Sequence, residues 1–170
     1  VSKEETKQMA ATIPRSSILG FIIGVLPGAG ATIASFLAYG MERNFVNNEE
    51  KEKFGKGSVQ GLSAPETANN AACSGSFVPL LTLGIPGSGT TAVMLGALLG
   101  FGIQPGPRLY ETNPDIFWSV IMSMYIGMVV LLILNLPLIP YIARILAVPR
   151  TFLIPMILFF SVTGIYLMSF

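Results

Sequence analysis

The stretch from Leu83 to Val93 reads LGIPGSGTTAV and lies inside an apolar run that extends over 71–103. Proline and glycine both weaken a helix, so this stretch predicts a break near the middle of an otherwise helical segment. An earlier stretch, 25–34, reads VLPGAGATIA and repeats the pattern Pro-Gly-x-Gly-x-Thr, which indicates a repeated structural feature. The aligned pairs are Pro27 with Pro86, Gly28 with Gly87, Gly30 with Gly89 and Thr32 with Thr91.

The composition of the 170-residue chain is typical of a membrane protein. Hydrophobic residues make up 52% of it and charged residues 11%, and the mean hydropathy is +0.66. These values fit poorly with a soluble domain. A net charge of +1 argues against nucleic acid as a partner, and one cysteine without histidine argues against a disulfide framework or a zinc or copper centre. We therefore expect an all-α, polytopic integral membrane protein whose surroundings are the lipid bilayer.

Hydropathy predicts four apolar segments, since a spanning helix needs about 20 mostly apolar residues. Two of them are uninterrupted. The first is a transmembrane helix over 114–140, which begins at Asn113-Pro114-Asp115 and which Pro137 and Pro140 are expected to close. The second is a transmembrane helix over 152–170, which the end of the chain truncates.

The segment 16–40 is predicted to form a re-entrant hairpin with its tip at Pro27-Gly28. The break divides the segment into halves of about eleven residues, each too short to span a membrane. Both flanks are rich in Lys and Arg, as cytoplasmic loops are. We therefore expect a cytoplasmic polar segment over 1–15 and a cytoplasmic loop over 41–57.

The segment 58–103 is predicted to contain a polar motif followed by a broken, or discontinuous, transmembrane helix. Its apolar part is too long for one untilted helix and is interrupted at Pro86-Gly87. The loop that follows, 104–115, carries one basic residue, whereas the loop 141–151 carries two. This charge pattern favours a single crossing by two half-helices.

Broken helices inside a membrane are typical of ligand sites, because irregular backbone at that depth must be buried in protein or line a wet cavity. Free amides at half-helix N-termini attract anions, while unwound carbonyls and hydroxyls can coordinate Na⁺. We predict that both loops bind substrate and a coupling ion, Na⁺ or H⁺, without another cofactor. The candidate residues are Pro27, Gly28, Gly30 and Thr32 in the first loop, and Pro86, Gly87, Ser88, Gly89, Thr90 and Thr91 in the second. Thr32 and Thr91 are the candidate Na⁺ ligands.

Helix packing is the alternative explanation for some of the glycines. Gly20, Gly24 and Gly28 follow one another at a spacing of four, as do Gly96 and Gly100. Small residues at this spacing let helices approach closely in membranes. We favour packing for Gly20, Gly24, Gly96 and Gly100, but it does not explain proline and hydroxyls repeated at one register. The lysine of a phosphate loop is absent from both stretches, so nucleotide binding is not expected.

The stretch 61–72, GLSAPETANNAA, carries an isolated carboxylate and two amides. In one interpretation Ser63 and Glu66 form a capping box at the start of a helix. In the other, Glu66, Asn69, Asn70 and Cys73 form one polar helix face that lines a cavity and contributes to the site. Both interpretations stay open, because a capping role and a site role can coexist.

Three motifs together resemble one family. GVLPGAGATIASFLAYG, APETANNAA, and LGIPGSGTTAV followed by QPGP occur in the order found in the large membrane subunit of tripartite tricarboxylate transporters. The resemblance covers 15–170 and implies the first part of the second half of a protein about three times longer. It implies a cation-coupled importer of tricarboxylates or related carboxylates, multi-pass in the bacterial inner membrane. It also implies a small membrane subunit and a periplasmic solute-binding protein as partners.

Two other classes of function compete with this interpretation. A channel-like or structural membrane subunit could use the same broken helices without alternating access. A membrane enzyme is disfavoured, because Glu66 has no histidine, metal cluster or second nearby carboxylate to complete an acid and base pair. We therefore expect a transporter subunit and no enzymatic activity.

Overall fold

A computed structural model describes residues 2–145 and 149–168, and in these ranges the chain is helical without any strand. The helices are α1 (Lys3–Val25), α2 (Gly30–Phe45), α3 (Asn48–Lys53), α4 (Val59–Gly75), α5 (Phe77–Leu83), α6 (Gly89–Gly100), α7 (Leu109–Thr112), α8 (Pro114–Ile145) and α9 (Arg150–Met168). The chain divides into two compact units, Val1–Trp118 and Ser119–Phe170. The all-α prediction is confirmed for the described residues.

Three helices, α1, α2 and α4, form the core of the first unit. Thr12, in the first half of α1, bonds to Glu42, near the end of α2, so these two helices run antiparallel. Gly20 of α1 lies against Ala68 of α4, and the same contact repeats four residues later in both helices, so α1 and α4 run parallel. The helix α4 therefore packs along one side of the helical hairpin that α1 and α2 form.

Each core helix buries a stripe of small or polar residues spaced four apart. The stripes are Thr12, Ser16, Gly20 and Gly24 on α1, Ala34, Ala38 and Glu42 on α2, and Gln60, Ala64, Ala68 and Ala72 on α4. Such small residues let backbones approach closely, as in membrane helix pairs. The packing role of Gly20 and Gly24 is confirmed. For Gly96 and Gly100 it stays a prediction, because a Cβ there would meet nothing within 4 Å in the described structure.

Large apolar side chains lie outside this core instead of inside it. Phe36 of α2 is 75% exposed and Val93 of α6 is 76% exposed. A soluble protein would bury many of these residues, whereas lipid can cover them. By length and composition, the helical stretches Lys3–Val25, of 23 residues, and Pro114–Arg144, of 31 residues, could each cross a membrane. Together these features agree with a membrane protein.

Two helix boundaries differ from the sequence-based expectation. Pro137 and Pro140 do not close the helix that begins at Pro114, because α8 continues through both to Ile145. A proline removes one helical hydrogen bond, and a helix with intact bonds on either side can absorb that loss, especially in a membrane. At the other end of the chain α1 begins at Lys3, where Ser2 and Glu5 form a capping box. Most of the predicted polar segment 1–15 is therefore part of the same helix as the first half of the segment 16–40. The predicted helix over 152–170 corresponds to α9, and its last two residues lie outside the described residues.

The chain returns to the end of α5 after it leaves α6. Gly84 ends α5 in the left-handed conformation, with φ at 68°. The backbone N–H of Gly106 donates to the carbonyl of Leu81 at 3.2 Å. A Cβ on Gly84 would lie 2.9 Å from the carbonyl oxygen of Pro105. The QPGP motif therefore packs against the helix end from which the second Pro-Gly loop departs.

Candidate functional site

The first Pro-Gly loop connects α1 to α2 and is exposed at Pro27 and Gly28. Gly28 and Gly30 have φ values of 84° and 69°, a region that glycine adopts freely and other residues avoid. A Cβ at either position would meet no atom within 4 Å, so backbone conformation, not space, requires glycine here. The N-cap of α2, Ala29, offers no side-chain hydrogen bond. The first amides of α2 thus lack a side-chain cap and can accept an anion.

The second Pro-Gly loop starts α6 with a complete capping box. The backbone N–H of Thr91 donates to Ser88 Oγ at 3.2 Å, and the backbone N–H of Ser88 donates to Thr91 Oγ1 at 2.8 Å. Thr91 is 2% exposed, and its hydroxyl also donates to the Ser88 carbonyl at 2.9 Å. Gly89 and Thr90, in contrast, are exposed. The two loops therefore share a sequence pattern but differ in helix capping, and only the first leaves its helix start without a side-chain cap.

The structure places the second loop beside the last turn of α1. A Cβ on Gly87 would lie 3.2 Å from Ser76 Cβ and 3.6 Å from the carbonyl oxygen of Gly24. Gly24 precedes Pro27 by three residues, and Pro86 adjoins Gly87. Both loops are consequently attached to the same end of α1, although they are far apart in sequence.

The interpretation of Ser63 and Glu66 as a capping box is wrong. α4 begins at Val59, and its N-cap is Ser58, whose hydroxyl accepts a hydrogen bond from the Gly61 amide at 3.0 Å. A serine can cap wherever the chain enters a helix, and here the earlier serine does so. Ser63 lies within the helix, and Glu66 is exposed.

The polar motif on α4 divides between two environments. Asn69 Nδ2 donates to Ser35 Oγ at 3.4 Å, which ties α4 to α2 one turn beyond Thr32. Ser35 Oγ also donates to the Pro65 carbonyl at 3.1 Å. Asn70 is exposed and bonds the carbonyl of Glu66 at 3.1 Å, while the Glu66 side chain lines an open groove of about 830 Å³. Asn69 is thus the member of the motif that contacts the helix following the first loop.

A buried polar cluster at the other end of the core was missed by sequence reasoning. Glu42 is fully buried and receives hydrogen bonds from Thr12, Arg15 and Gln60. In the sequence, Arg15 is one of the basic residues that flank the segment 16–40. The signal that could have revealed the cluster is the spacing of Ala34, Ala38 and Glu42, which continues an apolar helix face into a carboxylate.

Over residues 1–170 the chain matches the family described as the tripartite tricarboxylate transporter TctA family. The chain belongs to the TctA family. The resemblance carried by the three motifs is confirmed, and TctA proteins are membrane components of a transporter and not an enzyme family.

Two curated relatives are similar to this TctA chain, and both come from Agrobacterium vitis. One, described as an uncharacterised 52.8 kDa protein in the TAR-I ttuC′ 3′ region, is 45% identical over 166 residues, which are 98% of this chain and 33% of the relative. The other, described as an uncharacterised protein in the TAR-II ttuC′ 3′ region, is 46% identical over 147 residues, or 86% of this chain and 60% of the relative. This chain therefore spans about a third and three-fifths of their lengths. No solved structure matches it significantly.

Proposed function

We propose that this TctA chain is part of the membrane subunit of a cation-coupled secondary transporter that imports tricarboxylates or related carboxylates. A periplasmic solute-binding protein delivers the substrate, and a small membrane subunit completes the assembly in the bacterial inner membrane. The observation that carries the proposal is that two Pro-Gly helix breaks lie at the same end of α1. One of them presents a helix start without a side-chain cap, which suits a substrate carboxylate.

The uptake of carboxylates by the complete system tests this function. Cells that contain the full-length membrane subunit, its small subunit and the binding protein should show saturable uptake for some members of a carboxylate panel. Removing the binding protein should abolish that uptake. Flux that rises linearly with substrate concentration and persists without the binding protein would favour the channel-like alternative.

We further propose that residues 16–40, in the second part of α1 and in α2, form a re-entrant hairpin and that residues 71–103, from the end of α4 through α6, cross the membrane once as a broken helix. The antiparallel packing of α1 and α2 and the basic residues at both ends of the hairpin support the first part. The low basic content of the 104–115 loop supports the second.

Cysteine labelling in the segments 41–57 and 104–115 tests this topology. In the 41–57 loop we place the cysteine at Asn48 and not at Asn47. The side chain of Asn47 caps α3 by accepting a hydrogen bond from the Glu50 amide at 2.9 Å. In a background that lacks Cys73, Asn48→Cys should react with a membrane-impermeant thiol reagent only from the cytoplasm. Tyr110→Cys, at an exposed residue, should react only from outside. Labelling of both positions from one side would overturn the single crossing.

The two loop threonines give different expectations for Na⁺ dependence. Thr32 is exposed beside the uncapped helix start, so Thr32→Val should raise the Na⁺ concentration needed for half-maximal uptake if its hydroxyl coordinates Na⁺. Thr91→Val removes a capping interaction, and we expect it to lower stability by about 1 kcal/mol and leave the Na⁺ curve unchanged. Na⁺ titration of uptake and thermal unfolding of the purified protein measure the two effects. A wild-type Na⁺ curve for Thr32→Val would exclude hydroxyl coordination at that position.

A further inference from the structure

The carboxylate of Glu42 is completely buried between three helices. Its Oε1 accepts hydrogen bonds from Thr12 Oγ1 at 2.7 Å, Arg15 Nη2 at 2.6 Å and Gln60 Nε2 at 3.4 Å. Its Oε2 accepts one from Arg15 Nε at 3.3 Å. Neighbouring positions on the same face of α2 are alanines, so small-residue packing alone does not call for an acid here.

The ion pair between Arg15 and Glu42 is asymmetric in its exposure. The side chain of Arg15 is 37% exposed, whereas that of Glu42 is 0% exposed. The guanidinium can therefore move into water or a headgroup region, but the carboxylate cannot follow it. A buried carboxylate without a counter-charge is strongly unfavourable, so another positive charge must replace Arg15 if it leaves.

Oxygen atoms near the carboxylate could receive such a charge. Ser16 lies one helical turn from Thr12 on the same buried face of α1, and its hydroxyl has no hydrogen-bond partner within residues 2–145 and 149–168. The Thr12 hydroxyl bonds the Glu42 carboxylate directly, and the unpartnered Ser16 hydroxyl follows it on the same buried face of α1. Both hydroxyls can join the carboxylate as oxygen ligands, whereas Gln60 presents its amide nitrogen. Hard monovalent cations prefer oxygen ligands, and a proton needs only the carboxylate.

A second ion pair lies on α3. On α3, Glu50 pairs with Lys53 at 2.6 Å and receives a hydrogen bond from Gln8 of α1 at 3.5 Å. From α4 the cluster receives the uncharged Gln60, and from α1 it receives Thr12 and Arg15. Arg15 is thus the charged partner of Glu42, and its departure would leave the carboxylate to bind a cation.

We propose that Glu42 is the group that accepts the coupling cation, with Arg15 as its tethered counter-charge in the empty state. A proton or Na⁺ displaces the guanidinium when the cation loads, and Arg15 returns when the cation leaves. This inference rests on the cation coupling proposed above. Glu42 lies near the end of α2 and Thr32 near its start, so the roles of these two residues can be tested separately.

Gradient-driven accumulation and substrate exchange by the complete transporter distinguish a coupling role from a structural one. Glu42→Gln keeps the size and hydrogen-bonding capacity of the side chain but removes its charge. We expect it to reduce accumulation driven by the Na⁺ or H⁺ gradient by about tenfold or more, while exchange of internal for external substrate continues. Imposing the Na⁺ gradient or the H⁺ gradient alone on the wild-type transporter and measuring accumulation shows which cation Glu42 accepts. The matched control is Glu50→Gln, which removes a carboxylate paired on α3 and should leave both activities near wild type.

A second variant keeps the test decisive if Glu42→Gln folds poorly. Arg15→Gln removes the competing guanidinium, so the cation should bind more tightly and half-maximal uptake should need a lower concentration of the coupling cation. A merely structural ion pair predicts no such shift. Two results would contradict the role of Glu42 but not the cation coupling of the transporter. One is a wild-type cation curve for both variants. The other is loss of accumulation and exchange together in a well-folded Glu42→Gln protein. Wild-type uptake without any cation dependence would overturn the coupling itself.

Discussion

Replacing Gly24 with Ala is expected to lower the stability of the protein sharply, although alanine is the smallest possible addition. A Cβ on Gly24 would clash with the carbonyl oxygen of Ala72 and lie 2.6 Å from its Cα. These are backbone atoms of α4, so relief requires the two helices to separate. Overpacking of this kind costs about 3 kcal/mol, which exceeds the gain of about 1 kcal/mol that alanine brings to a helix. The apparent melting temperature of the purified full-length protein should therefore fall.

The same substitution in α6 provides the matched control. Gly96 also lies inside a helix, but a Cβ there would meet no atom within 4 Å in the part of the chain that the structure describes. Gly96→Ala should therefore leave the melting temperature unchanged or raise it slightly. Equal melting temperatures for the Gly24→Ala and Gly96→Ala proteins would contradict the close contact between α1 and α4.

Replacing Gly28 with Val is expected to reduce carboxylate uptake to background. Gly28 adopts a φ of 84°, which a β-branched residue avoids, and it lies directly before the uncapped start of α2. Valine would either distort the loop or place methyl groups where a carboxylate would approach the amides. In both cases the anion site proposed at the first loop would be lost. Uptake by the complete system, normalised to the amount of protein in the membrane, measures the effect.

Gly102 serves as the control for backbone strain. It has a φ of 75°, and a Cβ there would likewise meet no atom within 4 Å among the described residues. Gly102→Val should therefore carry a similar conformational cost, about 1–2 kcal/mol, without touching either Pro-Gly loop. If both valine variants lose uptake to the same degree, strain alone explains the result and a ligand role for the first loop is wrong.

Local signals in the sequence determined the class of the protein and the positions of two of its helix breaks. Proline and glycine act on the backbone within one helical turn, so the breaks at Pro27 and Pro86 follow from a few neighbouring residues. The prediction at Pro137 failed, as did the capping interpretation of Ser63. Two serines, Ser58 and Ser63, could have capped α4, and a proline weakens a helix without necessarily ending it, so each signal allowed more than one boundary.

The tertiary structure alone decided which residues meet. The spacing of Gly20 and Gly24 predicted helix packing, but their partners on α4 lie 48 positions further along the chain, and a stripe of small residues does not show which other stripe it packs against. Glu42 collects its hydrogen bonds from Thr12 and Gln60, which are 30 and 18 residues away, so its burial could not be seen in its own surroundings in the sequence. Hydropathy and periodicity report which face of a helix is small or apolar. Which faces pack together, and hence where a charge is buried, depends on the arrangement of three helices at once.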